Sequence, residues 1–147
     1  MIKSCESVEQ PGWLTLREIL WPDSDRIRHL QEMSSQLASP NRYAQFVDYS
    51  DSEEPQGFLE VSIRTDYVNG TRNSPVAFLE GIFVTPAARR KGVASRLVAE
   101  AENWARGRGC LELASDAFLA NTLSQAVHEK LGFEETERVI FFRKDVR

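Results

Sequence analysis

The chain has 147 residues, 41% of them hydrophobic and 27% charged, which fits one soluble globular domain with a buried core. A net charge of −4 argues against a general nucleic-acid binder, which is usually basic, and suits a cationic substrate. Two cysteines, Cys5 and Cys110, do not make a disulfide scaffold and point to reduced thiols in a cytoplasm, while the absence of an early apolar run or of ~18 consecutive apolar residues predicts neither a secretory signal nor a membrane span.

Trp13, Leu16 and Leu20 share a helical face, and Pro22 stops that helix after Trp21. A second helix is expected after Asp23 or Ser24. Its apolar stripe is Ile27, Leu30, Met33 and Leu37, with Pro40 closing it. His29 falls off that stripe and reads as a surface histidine, since no second His or Cys nearby has metal-ligand spacing. Tyr43 to Tyr49 and Gly57 to Thr65 alternate as strands around a turn at 51–56. Val76 to Val84 is a nearly continuous apolar strand with Glu80 in its middle. The polar segment 66–74 before it contains an Asn-Gly turn signal and is longer than a tight hairpin needs, so it is a candidate functional loop.

A helix from about Gly92 to Arg106 has apolar Val93, Leu97, Ala101 and Trp104, and Gly107 and Gly109 end it. Cys110 to Ala114 is a short strand. Asn121 or Thr122 caps a helix running to Leu131, and Glu134 to Arg143 alternates as a final strand. The pattern is two helices, three strands, helix, strand, helix, strand. It predicts a single α/β (α+β) domain over residues 1–147, with a mixed, mostly antiparallel central sheet flanked by helices.

The stretch 78–97 carries the chemistry. An apolar strand runs into the basic loop Arg89-Arg90-Lys91-Gly92-Val93-Ala94-Ser95, of the form Arg-x-x-Gly-x-Ala, and then into a helix. A helix N-terminus offers unpaired N–H groups and the positive end of the dipole, and a glycine lets a phosphate approach the backbone. The loop lacks the Walker A pattern and the Gly-x-Gly-x-x-Gly fingerprint. Taken alone, the motif also fits a basic surface loop.

Its context is more specific. The loop follows Gly-Ile-Phe-Val-x-Pro, and Asn121 and His128-Glu129-Lys130-Leu131-Gly132-Phe133 lie downstream in order. Over roughly residues 10–143 the chain resembles the GNAT N-acetyltransferase superfamily. That resemblance implies a GNAT-like fold and acetyl coenzyme A as cosubstrate, with no metal. Ile82, Phe83 and Val84 would hold the pantetheine arm and thioester. Arg89, Arg90, Lys91, Gly92, Val93, Ala94 and Ser95 would cradle the diphosphate, and Asn121 would contact the cofactor. Four further segments, Ser62 to Gly70, Phe78 to Val84, Ala114 to Asp116 and Gly132 to Phe141, resemble aminoglycoside 6'-N-acetyltransferases, which are antibiotic-resistance enzymes. By that resemblance Trp21, Tyr67, Glu80, Asp116 and Glu137 line a site for drugs of the kanamycin and tobramycin type, and the enzyme is a cytoplasmic homodimer that needs no nucleic acid or membrane.

The chemistry agrees with this reading. Aminoglycosides are polycations, so an acceptor site needs carboxylates and flat faces. Glu80 is hard to explain as a solvated side chain within an apolar strand. Asp116 also fits a turn or cap, Glu137 also fits a solvated acidic face, and Tyr67 and Trp21 also fit core or loop anchors. The attacking amine must lose a proton, because an alkyl ammonium has a pKa of ~10.4. Glu80 or Asp116, directly or through water, is the candidate base, and the N–H of Phe83 or Val84 is expected to polarise the thioester carbonyl. His128 stands where many superfamily members carry a tyrosine that protonates the leaving thiolate; it is either that acid or a helix residue without a catalytic task. Cys110 reads as core, so direct transfer without an acetyl-enzyme is expected. Two other readings share the cofactor loop: an acetyltransferase for a polyamine or protein amine, and a coenzyme A-binding module without catalysis.

Overall fold

The computed structural model describes residues 1–147. Five strands form one sheet in the order β1 (Ile2–Ser4), β2 (Tyr43–Tyr49), β3 (Pro55–Arg64), β4 (Val76–Val84), β5 (Leu113–Ala114). The first three pairings are antiparallel, and β4 and β5 are parallel. Helices α1 (Trp13–Leu20) and α2 (Arg26–Leu37) cover one face. Helix α3 (Val93–Gly107) covers the other, and α4 (Thr122–Lys130) follows β5. The expected mixed, mostly antiparallel sheet flanked by helices is what forms.

Alternation along β3 explains the two layers. Leu59 and Val61 point to the α3 side, where they meet Leu79, Val93, Leu97 and Ala101. Phe58 and Glu60 point to the opposite side. There Phe58 packs with Trp13, Leu16, Met33, Val47 and Tyr49. Ser62 and Arg64 continue that second face.

Local signals set the helix ends. Asp25 caps α2 by accepting from the Arg28 N–H at 2.8 Å, and Asn121 caps α4 by accepting from the Ser124 N–H at 3.0 Å.

Four expectations need correction. First, His29 is fully buried, not on the surface, while Ile27 is exposed; the buried side of α2 is rotated because a polar network lies beneath it. Arg17 Nη1 donates to Glu60 Oε1 and Oε2 at 2.6 and 2.5 Å, and Arg17 Nε donates to His29 Nδ1 at 3.2 Å. The histidine's other nitrogen then donates to the Trp21 carbonyl at 3.1 Å. Second, β1 forms although its three residues are too few to show alternation. Third, the strand expected over Cys110 to Ala114 shrinks to Leu113–Ala114. Fourth, Glu134 to Arg143 forms no strand. Its alternation is real, but strands exist only as pairs, and no strand of the sheet pairs with it. Ile140, Phe141 and Phe142 are consequently 78%, 86% and 92% exposed.

Candidate active site

The sheet opens at β4. This strand pairs with β3 along its whole length, but with β5 only at Ala77 and Phe78. From Glu80 to Val84 its outer edge has no neighbouring strand. The Thr85 N–H bonds the Gln56 carbonyl of the β3 side at 3.0 Å. Backbone direction alternates along a strand, so Phe83 also points toward β3, whereas Ile82 and Val84 point outward. Of the two donors expected for a thioester carbonyl, the free one is therefore Val84.

The free edge leads into the basic loop. Gly92 has φ +76°, left-handed backbone that glycine adopts without strain, and Arg90 has φ +63°. No side chain caps α3, and the N–H groups of Val93, Ala94 and Ser95 have no protein acceptor. A Cβ at Gly92 would meet only the Arg96 Nη1, at 3.4 Å. A helix N-terminus with free donors and an open glycine fits a diphosphate. Arg96, which sequence reasoning missed, holds this geometry. It donates to the Lys91 carbonyl at 2.9 Å and to Asp48 Oδ2 at 2.7 Å. In a trans peptide C=O and N–H point opposite ways, so anchoring the Lys91 carbonyl turns the Gly92 N–H outward. Arg89 is partly committed elsewhere, as its Nε donates to the Val84 carbonyl at 3.3 Å.

Glu80 sits at a bulge, since Glu60 pairs with Gly81 while Val61 pairs with Leu79. It lies on the face of Phe78, Ser62 and Arg64. Ser62 Oγ donates to Glu80 Oε1 at 2.6 Å, and Arg64 Nη2 donates to Oε1 and Oε2 at 3.0 and 3.3 Å. A polar cavity of about 390 Å³ opens over this group, lined among others by Arg42, Asp66, Tyr67 and Glu80. Tyr67 is 75% exposed, with its ring available as a flat surface. Trp21 lies against Gly81, where any side chain would clash with the indole Cζ2 and Cη2. It meets Phe58 edge-on at 6.0 Å, with the Arg17 guanidinium 4.8 Å from its ring centre. The 66–74 loop is pinned by Glu112, which accepts from the Arg72 and Asn73 N–H groups at 2.9 Å. The Arg72 N–H, followed by the Asn73 donors, holds the Glu112 carboxyl below its usual pKa.

Glu80 and Tyr67 thus share one cavity, while Trp21 packs on Gly81, the residue after Glu80, without lining it. Asp116 is exposed just beyond β5, and Glu137 is exposed in the C-terminal segment; neither lines that cavity. The C-terminal segment does reach the loop, because Thr136 lies against Gly70. Asn121 spends its carbonyl oxygen on the α4 cap. His128 Nδ1 donates to the Ser124 carbonyl at 2.7 Å, and its Nε2 is 2.7 Å from Ser115 Oγ. This pair ties α4 to the end of β5. Cys110 is buried and desolvation raises its pKa, the state of a core thiol. Ser62 and Arg64 fall in a segment noted from the sequence but were given no role there, and Arg42 was not noted; only strand register brings Ser62 and Arg64 to Glu80 and Arg42 to the same cavity.

Known proteins resemble this arrangement over almost the whole chain. An aminoglycoside N(6')-acetyltransferase type 1 of Acinetobacter haemolyticus is 51% identical over 146 residues, covering 99% of this chain and 98% of its own. One from Serratia marcescens is 49% identical, covering 98% of each chain. Among solved structures, the apo aminoglycoside antibiotic 6'-N-acetyltransferase of A. haemolyticus superposes with a TM-score of 0.93 at 48% identity, covering 100% of this chain and 99% of the other. AAC(6')-Iy in complex with the bisubstrate analogue CoA-S-monomethyl-acetylneamine gives 0.93 at 45% identity, covering 99% and 98%. The profile of the acetyltransferase (GNAT) family matches residues 13–133. With the splayed β4, the glycine loop and the uncapped α3 terminus on that same segment, the chain belongs to the GNAT acetyltransferase family.

Proposed function

We propose that this chain transfers the acetyl group of acetyl coenzyme A to the 6'-amino group of aminoglycoside antibiotics, by direct attack in a ternary complex, and so confers resistance. The observation that carries the reading is the meeting of two half-sites on β4. Its free edge and the Gly92 loop suit the donor, and Glu80 on the same strand faces a polar, aromatic-walled cavity suited to a polycation. Relatives at about half identity carry that activity in their names.

The chemistry follows from the geometry. The acceptor nitrogen must shed a proton before attack, and Glu80 accepts it directly or through water, with Asp116 the second candidate. As the N–C bond forms and the C–S bond breaks, charge develops on the carbonyl oxygen. The outward Val84 N–H is placed to stabilise it, an effect typically worth ~3 kcal/mol. The nitrogen loses its second proton as the thiolate gains one. His128 reaches that step only through Ser115, which occupies its Nε2.

In a coenzyme A release assay with kanamycin or tobramycin, the parent chain is expected to acetylate the 6'-amine, located by mapping the product. Glu80→Ala should lower kcat/KM for the drug by about 100-fold, the scale of one lost acid–base group, while acetyl coenzyme A affinity stays near the parent value. Turnover of spermidine or a peptide far above any drug would replace this reading with another amine acetyltransferase.

The reading includes a cytoplasmic homodimer. Val139, Ile140, Phe141 and Phe142 expose a contiguous apolar run, and so do Phe118, Leu119 and Leu123 near α4. Patches of this kind are rare on a monomer. Strand β5 is a two-residue edge strand with a free side, and in the dimer the C-terminal segment of one copy, residues 134–143, pairs with that edge of the other. Sedimentation should give twice the 16.7 kDa chain mass. Phe141→Asp with Phe142→Asp should shift the chain to monomer. A parent chain that sediments as a monomer at micromolar concentration overturns this part.

A further inference from the structure

Arg64 takes no part in the acetyl transfer itself, yet it occupies the carboxylate that the acceptor needs. Its guanidinium lies 3.0 and 3.3 Å from the two Glu80 oxygens and 3.6 Å from the centre of the Phe78 ring. Both side chains are partly exposed, 41% for Arg64 and 32% for Glu80, and both line the same cavity. The Phe78 ring attracts the guanidinium, which favours keeping the cation at Glu80 over sweeping through solvent. Ser62 Oγ donates to the same carboxylate oxygen at 2.6 Å.

We propose that Arg64 is a resident counter-cation that competes with the acceptor's ammonium for Glu80, and so sets the affinity of the site for polycations. The inference rests on the acceptor reading above. An empty site with Glu80 unpaired would bind any small cation. With Arg64 in place, only an acceptor whose ammonium is held by further contacts displaces the guanidinium. The reaction then reverses the competition. Acetylation turns the ammonium into a neutral amide, which has no claim on the carboxylate, and Arg64 returns to Glu80 as the product leaves. Arg64 is therefore a specificity-determining residue.

The test is Arg64→Met, which keeps a long apolar stem over Phe78 and removes the charge, with Arg64→Gln as the second variant. The acceptor KM is measured with kanamycin at saturating acetyl coenzyme A, and affinity by calorimetric titration of kanamycin into each protein. Losing a competing, partly exposed ion pair should lower KM and Kd by about fivefold. The gain should shrink as salt rises. Arg64→Lys should stay near the parent. The inhibition constant of the 6'-N-acetylated product should not tighten. A purely supporting role for Arg64 predicts the opposite sign, a KM that rises as Glu80 loses its placement. Parent turnover with an unchanged or raised kanamycin KM in both variants overturns the assignment of Arg64 alone. Absence of kanamycin turnover by the parent chain overturns the acceptor reading, and this inference with it.

Discussion

Glu60→Ala should destabilise the fold by about 3 kcal/mol, the lower end of what removing one partner of a buried ion pair costs. Glu60 is 2% exposed and Arg17 1%. Besides Arg17, Glu60 accepts from Trp13 Nε1 at 2.9 Å and Gln36 Nε2 at 2.7 Å. Its removal leaves a buried guanidinium, an indole N–H and an amide without their acceptor. Arg17 keeps a second carboxylate, the half-exposed Glu32, which is why the low end of the range applies. For a chain of this length the loss corresponds to a fall in Tm of about 10 °C, measured by calorimetry. Replacing both partners, Arg17→Met with Glu60→Leu, should cost far less than the two single changes added together, because no buried charge is stranded. A single-variant loss below about 1 kcal/mol would show the network to be dispensable. The same network reaches the acceptor site, since His29 holds the Trp21 carbonyl and Arg17 lies against the Trp21 ring. A rise in drug KM is therefore expected in Glu60→Ala well below its melting temperature.

That network also marks where sequence reading ends. Strands β2 and β4 were legible to the residue, because alternation and apolar runs report one-sided or two-sided burial. The starts of α2 and α4 were legible to within two residues or better through Asp, Asn and Ser capping chemistry. Arg17 and Glu60 are 43 positions apart, and no local period links them. His29 looks like a surface residue for the same reason, since its partners come from α1 and the Trp21 backbone. Glu80 stood out because a carboxylate interrupts an apolar strand. Its consorts Ser62 and Arg64 did not, because they become its neighbours only once β3 and β4 pair in register. The C-terminal segment is a different case. Its alternation was visible in the chain, but no strand of the sheet pairs with it, so no strand forms there. The segment proposed for the donor was the most legible in its geometry, because that geometry is written locally, in one strand, one glycine loop and the first turn of one helix.

Gly92→Val should raise the KM for acetyl coenzyme A by about 100-fold and leave the drug KM near the parent value. Two effects act together. The left-handed backbone at φ +76° costs a side-chain-bearing residue roughly 1–2 kcal/mol, more for a β-branched one. The fold tolerates the bulk itself, since a Cβ there meets only the mobile end of Arg96. The methyl groups instead project where phosphate oxygens must approach the free N–H groups of Val93, Ala94 and Ser95. Losing two charge-assisted bonds of roughly 1.5 kcal/mol each gives the stated change. The discriminating control is S-acetyl-pantetheine, a donor without the diphosphate. The variant and parent should use it equally well, because the path proposed for its arm, along Ile82 to Val84, stops short of the loop. A variant that loses both donors alike has lost β4 or the fold. One that keeps its acetyl coenzyme A affinity would move the diphosphate away from this loop altogether. The position of Glu80 makes the separation between the two substrates sharp. It lies four residues before Val84 on the same strand, so a defect confined to the loop should spare the acceptor cavity, and a defect at Glu80 should spare the donor.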